Sequence, residues 1–247
     1  MKLWIGLPAY NEEIAIERLL AKFYQRYPSR SFSYEIVLYS DGSTDRTVEV
    51  ANGWTDRLNL TIINEPVNKG LGEGLRRLIA HTLAEASDED VFALMDCDDT
   101  HDPAQLDDLV KRIGDGYSVV IASRYRRNAV TCGVPLHRLL LSYGAALLFK
   151  AIHPIRGVFD YTCGYRAYKV PVLKSGVSRY GNKLISNQGF ACMVELLLKL
   201  HQPGVSFKEI PLKLRYDLKP TESKMDVGSN TFHTLFLLAR WRILGIN

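Results

Sequence analysis

The stretch Val91-Phe92-Ala93-Leu94-Met95-Asp96-Cys97-Asp98-Asp99 decides the fold, because a short apolar run ends abruptly in carboxylates. The run 91–95 predicts a buried strand that leads into a loop. Asp96 and Asp98 are one residue apart at the end of that strand, so both carboxylates are expected to face one crevice. Hard oxygen ligands of this kind suit Mg²⁺ or Mn²⁺ holding a phosphate-bearing substrate. Acidic clusters are usually solvated loops, so the neighbouring segments have to support this assignment.

Three other segments also follow strand-like runs. They are Pro8 to Glu12, Asp41 to Thr44 and Lys69 to Gly74. In an open α/β sheet, ligands bind in a crevice outside the carboxyl ends of the strands, where the loops meet. Four such loops therefore predict a nucleotide site at the end of strand 91–95.

The first half of the chain alternates strand and helix patterns. Strands are predicted at Lys2 to Leu7, Tyr34 to Tyr39, Leu58 to Ile63, Val91 to Met95 and Ser118 to Ala122. Helices are predicted at Glu12 to Tyr27, Ser43 to Gly53, Leu71 to Ala86 and Pro103 to Ile113. This alternation is typical of an α/β protein in which helices cover both faces of a mostly parallel sheet.

The alternation ends after residue 123, and two unusually apolar helices are predicted in the C-terminal half, at Leu136 to Ile152 and Phe232 to Ile246. A helix at Asn187 to Leu200 and an extended strand at Val205 to Arg215 lie between them. Each apolar helix can pack against a core or a partner subunit, or lie on a membrane surface, and both alternatives stay open. We predict one large domain over residues 1–225 and an amphipathic helix, packed or interfacial, over residues 226–247.

The charge of the chain is unevenly distributed. Residues 1–123 carry a net charge of −9 and residues 124–247 a net charge of +13, which gives +4 over the 247 residues. An acidic half that can hold a cation, joined to a basic half that can meet phosphates or an anionic membrane surface, suits transfer between two anionic substrates. Nucleic acid would also attract the basic half, but no RNA-binding aromatic motif, zinc-finger spacing or helix-turn-helix signal supports that partner.

The four cysteines, at positions 97, 132, 163 and 192, are scattered and form no CxxC pair. This spacing gives no sign of a disulfide framework or a zinc site, so a reducing cytosol is the simplest location. The apolar run before Pro8 is too short for the core of a signal peptide. No segment reaches the roughly 20 apolar residues that a membrane-spanning helix needs.

Seven short motifs follow one another along the chain. They are Leu7-Pro8-Ala9-Tyr10-Asn11-Glu12-Glu13, Ser40-Asp41-Gly42-Ser43-Thr44-Asp45, Asn68-Lys69-Gly70-Leu71-Gly72, Asp96-Cys97-Asp98, Ser123-Arg124-Tyr125, Asp160-Tyr161-Thr162-Cys163-Gly164-Tyr165-Arg166 and Ser223-Lys224-Met225. In this order the motifs resemble those of the family 2 glycosyltransferases with the GT-A fold. Within that family they are similar to the dolichyl-phosphate (polyprenyl-phosphate) mannosyltransferase group.

The resemblance implies a GT-A (Rossmann-like) three-layer sandwich over residues 1–225. It also implies the metal-dependent, inverting transfer of a sugar from a GDP- or UDP-sugar to a polyprenyl (dolichyl or undecaprenyl) phosphate, with Mg²⁺ or Mn²⁺ as cofactor. The apolar helices fit a peripheral protein on the cytoplasmic face of the membrane, as a homo-oligomer or beside a separate membrane subunit. The sugar, the base of the donor and the oligomeric state stay open.

The residues expected to bind the nucleotide are Pro8, Tyr10, Glu12, Asp41, Lys69, Asp96 and Cys97. Glu12 can accept a hydrogen bond from a ribose hydroxyl or a base N–H, or it can be a carboxylate favoured at a helix N-terminus. Asp41 can accept from a base edge, and it can also shape the turn before the following glycine. Lys69 is a candidate diphosphate contact, whereas the glycines beside it can instead mark a helix start.

Asp96, Asp98 and Thr100 are the predicted metal-binding residues. A departing nucleoside diphosphate needs its developing charge neutralised, and a divalent cation does this. Asp98 is the expected metal ligand, and Asp96 contacts the ribose or reaches the metal through water. The resemblance places Thr100 where relatives carry another metal-facing polar group. His101 beside these hard ligands is expected to be solvated or to support them indirectly.

Arg124, Arg215 and Lys224 are the predicted cationic contacts to the donor diphosphate or the acceptor phosphate, and with Asp98 they form the predicted catalytic set. The family pattern has an arginine six residues before the lysine of its Ser-Lys motif, but this chain has Leu218 there. An insertion would make Arg215 the equivalent residue, and Lys219 is the substitute.

The acceptor decides what chemistry the protein has to supply. A polyprenyl phosphate is already anionic at neutral pH, so the protein has only to position it for in-line attack while cations hold the leaving diphosphate. A hydroxyl acceptor would require a general base, and Asp160 and Glu195 are the candidates. A non-catalytic sugar-nucleotide-binding subunit leaves the acidic pair unexplained, and a nucleotidyltransferase would need a glycine-rich arginine loop that the N-terminus lacks.

Overall fold

The chain folds into alternating strands and helices, and the computed structural model describes residues 1–27, 33–219, 234, 236–237, 239–242 and 245. The strands are β1 (Leu3–Ala9), β2 (Tyr34–Asp41), β3 (Leu60–Glu65), β4 (Val91–Leu94), β5 (Val119–Ser123), β6 (Val130–Cys132), β7 (Arg166–Lys169), β8 (Phe207–Pro211) and β9 (Lys213–Arg215). The α-helices are α1 (Glu13–Arg26), α2 (Thr47–Asn52), α3 (Leu71–Glu85), α4 (Gln105–Gly114), α5 (Leu136–Ile152), α6 (Val170–Tyr180) and α7 (Ala191–Leu200). Short 3₁₀ turns occur at Gly181–Leu184 and Tyr216–Leu218.

The main sheet has seven strands in the order β3-β2-β1-β4-β7-β5-β8. The pairs β1–β2, β1–β4, β2–β3 and β5–β8 are parallel, and β7 runs antiparallel to both β4 and β5. Consecutive residues of β4 and β5 are all buried, which means that both faces of the sheet are covered. The predicted mostly parallel α/β sheet is therefore confirmed.

The strand order places the crevice between β1 and β4. The chain proceeds from β1 to β2 and β3 on one side and returns to β4 on the other, so the loops after β1 and β4 diverge to opposite sides of the sheet. This is the switch point at which open α/β sheets bind ligands. Asp96 to Asp99 follow β4, as the sequence predicts, whereas β1 continues through Pro8 to Ala9, so the loop after β1 begins at Tyr10 and not at Pro8.

Two parts of the second half differ from the sequence prediction. The segment predicted as one strand over 205–215 is broken at Leu212 into β8, which joins the main sheet, and β9, which pairs in parallel with β6. Strand β7 and helix α6 were not predicted. Strand β7 is only four residues long, Arg166-Ala167-Tyr168-Lys169, and ends in charged residues, so it carries no clear strand pattern.

Helix α5 presents an exposed apolar face. Its outward residues include Leu136, Leu140, Leu141, Leu147 and Leu148, and each is about half exposed or more. In the parts of the chain that the structure describes, no helix combines the length and the apolar character needed to cross a bilayer.

The predicted C-terminal helix is described only in part. Thr234, residues 236–237 and residues 239–242 are helical, Trp241 packs against the main core and Phe236 is exposed. The predicted boundary at residues 225 and 226 lies outside the described residues, so the division of the chain there remains a prediction.

Candidate functional site

A cavity of about 560 Å³ opens at the carboxyl ends of β1, β2 and β4. Nine of the predicted site residues line it: Pro8, Tyr10, Glu12, Asp41, Asp96, Cys97, Asp98, Thr100 and Arg124. Part of its wall is apolar and includes Ala145, Ala146 and Phe149 of α5. The cavity therefore joins an acidic floor to an apolar wall.

The loop after β1 is fastened to the loop after β2. The backbone N–H of Asn11 donates to the Ser43 hydroxyl at 3.1 Å, and the Asn11 side-chain oxygen accepts from the Thr44 N–H at 2.7 Å. The N–H of Glu12 donates to the Thr47 hydroxyl at 2.8 Å. These bonds hold the Tyr10 ring and the Glu12 carboxylate on one wall of the cavity.

Asp41 organises the glycine-rich loop. Its two carboxylate oxygens accept the backbone N–H groups of Lys69 and Gly70, each at 2.8 Å. The ammonium of Lys69 points elsewhere, to Glu65 at 2.7 Å, and Lys69 does not line the cavity. The structure therefore places Asp41 as the anchor of the loop, and the Lys69 ammonium pairs with Glu65 instead of lining the cavity, so its diphosphate contact stays a prediction.

A third loop, residues 186–189, presses against the start of α3. The Gly72 N–H donates to the Gln188 carbonyl at 2.9 Å, and a Cβ at position 72 would lie 1.8 Å from the Asn187 carbonyl oxygen. Only glycine allows this close approach. Glu195 of α7 secures the loop, because its carboxylate accepts the N–H groups of Ser186 and Asn187, both at 2.9 Å.

The acidic floor of the cavity consists of Asp96 and Asp98. A Cβ at Gly164 would lie 3.0 Å from Asp96 Oδ1, so this glycine leaves room beside the carboxylate. The Thr100 hydroxyl donates to Asp98 Oδ1 at 2.7 Å. Partial removal from bulk water inside the cavity raises the pKa of Asp96. Burial acts in the same direction on Asp98 and is the largest single effect there, but the charges of Lys219 and His101 and the hydrogen bonds from Lys219 and Thr100 together lower the pKa of that carboxyl.

The chemistry of Asp96 and Asp98 fits a divalent cation, because both present hard oxygen donors at the end of β4. The Asp98 carboxylate is already paired with a cationic group, the Lys219 ammonium. Among the residues that the structure describes, no group of three or more His, Cys, Asp or Glu side chains could hold a metal ion. A cation here would have to complete its coordination with water or substrate oxygens, which is how Mg²⁺ is usually held beside phosphates.

Lys219, the predicted substitute for Arg215, contacts the predicted metal ligand Asp98. Its Nζ lies 2.6 Å from Asp98 Oδ2, and both side chains are largely buried. Arg215 instead forms an ion pair with Asp217 at 2.9 Å and does not line the cavity. The structure therefore brings Lys219, rather than Arg215, to the site. Lys224 lies outside the described residues.

Arg124 follows β5 and reaches the cavity held by Asp160. Its Nε and Nη2 donate to the two oxygens of the Asp160 carboxylate, at 2.9 and 2.6 Å. Asp160 is fully buried. Burial alone would raise the pKa of this carboxyl, but the Arg124 charge and the hydrogen bonds donated by Arg124 and Cys163 together lower it.

The remaining polar groups around the acidic floor support it. Asp99 adopts a φ of +63° and is buried against Lys22 of α1, with an Nζ···Oδ1 distance of 2.6 Å. His101 is buried and stacks on Tyr165, and its Nδ1 accepts the Asp96 N–H at 3.2 Å. The expectation that His101 is solvated is not met, whereas its supporting role matches this geometry. The Cys97 thiol is buried, and burial raises its pKa well above the usual value.

Comparison with known families identifies the chain. The model of the family described as "Glycosyl transferase family 2" matches residues 4–176, which is more than half of the sequence. The chain belongs to glycosyl transferase family 2. Its matched segment contains β1 to β7 and six of the seven motifs that resemble this family.

Several named proteins of this kind are similar to the chain. It is 31% identical over 246 residues to a dolichol-phosphate mannosyltransferase of Pyrococcus furiosus, covering 98% of this chain and 64% of that protein. It is 26% identical over 249 residues to a polyprenol monophosphomannose synthase of Mycolicibacterium smegmatis, covering 97% and 86%. It is 28% identical over 223 residues to a dolichyl-phosphate beta-glucosyltransferase of Trichomonas vaginalis, covering 85% and 65%. The chain thus spans less than two thirds of the length of two of these relatives.

A solved structure with the same fold is glucosyl-3-phosphoglycerate synthase from Mycobacterium tuberculosis in complex with Mn²⁺, UDP-glucose and phosphoglyceric acid. The TM-score is 0.67 at 20% identity, covering 98% of this chain and 79% of that one. The family 2 chain therefore has the GT-A fold, as the resemblance implies.

Proposed function

We propose that this family 2 protein transfers a sugar from a nucleoside-diphosphate sugar to the phosphate of a polyprenyl phosphate, with inversion at the anomeric carbon. The observation that carries this proposal is the composition of the cavity. Asp96 and Asp98 form its acidic floor, while Ala146 and Phe149 of α5 form an apolar wall. The acidic floor suits a cation and a diphosphate, and the apolar wall suits the start of a lipid chain.

The names of the relatives support the acceptor. Mannosyl and glucosyl transferases both occur among them, and each name refers to a dolichol or polyprenol carrier. We therefore assign a polyprenyl phosphate acceptor to this chain. The identity of the sugar has to be determined by experiment. The donor is a GDP-sugar or a UDP-sugar, bound by the wall that Pro8, Tyr10 and Glu12 form beside Cys97.

Asp98 is the proposed ligand for Mg²⁺ or Mn²⁺, with Asp96 and Thr100 beside it. When bound, the cation offsets the charge that develops on the departing diphosphate. Solved structures of glucosyl-3-phosphoglycerate synthase from Mycobacterium tuberculosis, which has the same fold, contain Mn²⁺ with UDP-glucose or Mg²⁺ with UDP. In this chain, Arg124 supplies a second positive charge at the cavity wall, fixed in direction by the Asp160 carboxylate.

The chain offers little support for a general base. Asp160 is fully buried, and both of its oxygens accept from the Arg124 guanidinium. Glu195 is buried outside the cavity lining, where it accepts from the loop at Ser186 and from Lys199 Nζ at 2.7 Å. An acceptor phosphate needs no deprotonation at neutral pH, so this arrangement favours the phosphate over a hydroxyl acceptor.

We further propose that the exposed apolar face of α5 lies on the membrane surface. The outward residues Leu140 and Leu147 lie on the opposite side of the helix from the cavity wall at Phe149, so one helix would face both the lipid and the bound substrate. The four cysteines are free thiols, which fits a reducing compartment and supports the cytoplasmic face.

A donor panel tests the proposal. The purified protein is incubated with polyprenyl phosphate, with GDP- and UDP-sugars and with Mg²⁺ or Mn²⁺, and lipid-linked sugar is followed by mass spectrometry. We expect one donor class to give product and chelator to abolish it. Donor hydrolysis or tight nucleotide binding without lipid product would move the assignment to a hydroxyl acceptor or a sugar-nucleotide-binding subunit.

A further inference from the structure

Lys219 occupies the position on Asp98 that a bound cation would take. Its ammonium lies 2.6 Å from Asp98 Oδ2, and the two side chains are only 14% and 15% exposed. The other oxygen of the same carboxylate accepts the Thr100 hydroxyl at 2.7 Å. Both oxygens of the proposed metal ligand are therefore already in use, one of them by a full positive charge.

Arg124 cannot take over this role of Lys219. Among the described residues that line the cavity, Arg124 is the arginine and Lys219 is the lysine. The Arg124 guanidinium is held by Asp160 through Nε and Nη2, whereas the Lys219 ammonium contacts Asp98. Lys219 is therefore the side chain whose positive charge competes directly for Asp98.

The backbone around Lys219 is tied to the acidic loop, while its side chain can move. The Arg215 N–H donates to the Thr100 carbonyl at 2.9 Å, and the Lys219 N–H to the Tyr216 carbonyl at 3.3 Å. A lysine ammonium is a compact charge on a flexible four-carbon stem with rotatable donors. This flexibility would let the Lys219 ammonium leave Asp98 while the Arg215 N–H keeps its bond to the Thr100 carbonyl.

We propose that Lys219 is a built-in competitor for the divalent cation: it neutralises Asp98 before donor binding and transfers to the donor diphosphate when the cation takes its place. The proposal rests on the function proposed above. Without nucleotide, the cation must displace the ammonium from Asp98, and no diphosphate is present to receive it. With nucleotide, the diphosphate provides that partner, so binding of cation and nucleotide is coupled. Lys219 would thereby prevent the site from filling with metal before the donor arrives.

The test is the affinity for Mn²⁺ without donor, measured from the electron paramagnetic resonance signal of free Mn²⁺. Lys219→Met and Lys219→Gln both remove the competing charge, and we expect each to lower the Kd for Mn²⁺ about tenfold. Lys213→Met is the matched control, because Lys213 is an exposed lysine of β9 that loses the same charge without touching Asp98. We expect this control to keep the Kd of the unmodified protein.

A second titration repeats the Mn²⁺ measurement with UDP or GDP present. We expect the nucleotide to tighten Mn²⁺ binding by a larger factor in the unmodified protein than in either Lys219 variant. Equal Mn²⁺ affinity in all proteins without nucleotide would overturn the proposal and leave the metal site standing. A gain in only one of the two Lys219 variants, or an equal gain in the Lys213 control, would also overturn it. If no protein binds Mn²⁺ with or without nucleotide, the metal site of the proposed function fails together with the competition.

Discussion

Asp160 holds the Arg124 guanidinium at the cavity wall in a two-point ion pair, with Oδ1···Nη2 at 2.6 Å and Oδ2···Nε at 2.9 Å. The same carboxylate accepts the backbone N–H groups of Arg124 at 3.1 Å and Cys163 at 3.0 Å. A carboxylate with this many donors stabilises and directs its cation. It has little capacity left to remove a proton from a substrate.

Asp160→Asn should therefore act first on stability. Removing one partner of a buried ion pair leaves the other charge uncompensated, and we expect a loss of about 3 kcal/mol in the free energy of unfolding at pH 7. The folded-state pKa of Asp160 is lowered, so the carboxylate contributes stability above the ordinary aspartate pKa of about 3.9 and loses it as the pH falls below that value. Urea unfolding of the unmodified protein and of Asp160→Asn should be compared at pH 7 and at a pH below that pKa. The difference in their free energies of unfolding should be smaller in acid. An equal difference at both pH values would contradict the ion-pair assignment.

Asp98→Asn should abolish sugar transfer while the fold is retained. Asparagine keeps the size of the side chain and its contact with the Thr100 hydroxyl but removes the charge that would hold the cation. We expect a loss of about 100-fold or more in kcat, the size of effect that removal of one electrostatic contact to the transition state produces. Asp108→Asn, at an exposed position of α4, is the matched control and should retain activity. Full activity of Asp98→Asn in the presence of Mg²⁺ would remove the metal assignment.

Gly72→Ala tests the contact between the glycine-rich loop and the loop at residues 186–189. The added methyl group would lie 1.8 Å from the Asn187 carbonyl oxygen, so the backbone has to move. We expect a loss of about 1–3 kcal/mol in the free energy of unfolding and a higher KM for the donor. Gly114→Ala at the end of α4 has no atom within 4 Å of the new Cβ and should be neutral or slightly stabilising. Equal behaviour of the two variants would show that the loop contact is unimportant.

Leu140→Gln on the outward face of α5 should weaken binding to liposomes that contain anionic lipid. Membrane affinity scales with the apolar area buried, and a leucine side chain contributes about 1.5–3 kcal/mol when fully buried. We expect a loss of about tenfold in the partition coefficient, with donor turnover on a detergent-solubilised acceptor unchanged. Val177→Gln replaces an exposed apolar residue of α6 and serves as control in the same sedimentation assay. Unchanged liposome binding of Leu140→Gln would favour a protein partner for this face.

Much of the fold follows from local sequence. The runs before Pro8 and Asp96 are short, apolar and followed by loop residues, so β1, β4 and the crevice between them could be predicted. Strand β7 could not, because four residues with charged ends show no periodicity, and β7 depends on neighbours that are distant in sequence. The break at Leu212 was missed for a similar reason, since β9 is defined by its pairing with β6.

The site residues divide in the same way. Some could be predicted from neighbouring residues, and others depend on contacts with residues distant in the sequence. The acidic pair was evident because two carboxylates follow one strand. The choice between Arg215 and Lys219 was not, since it depends on which side chain turns into the cavity and which meets Asp217. Asp41 was expected to contact the base, but sequence could not show that both of its oxygens would be taken by the backbone of Lys69 and Gly70.

The most direct test of the account compares two acceptors of equal chain length, a polyprenyl phosphate and the corresponding polyprenol, with the active donor and Mg²⁺. Both place the same apolar chain against α5, but only the first supplies an oxyanion that needs no general base. We predict sugar transfer to the phosphate and none to the alcohol under identical conditions. Transfer to the alcohol at a comparable rate would contradict it.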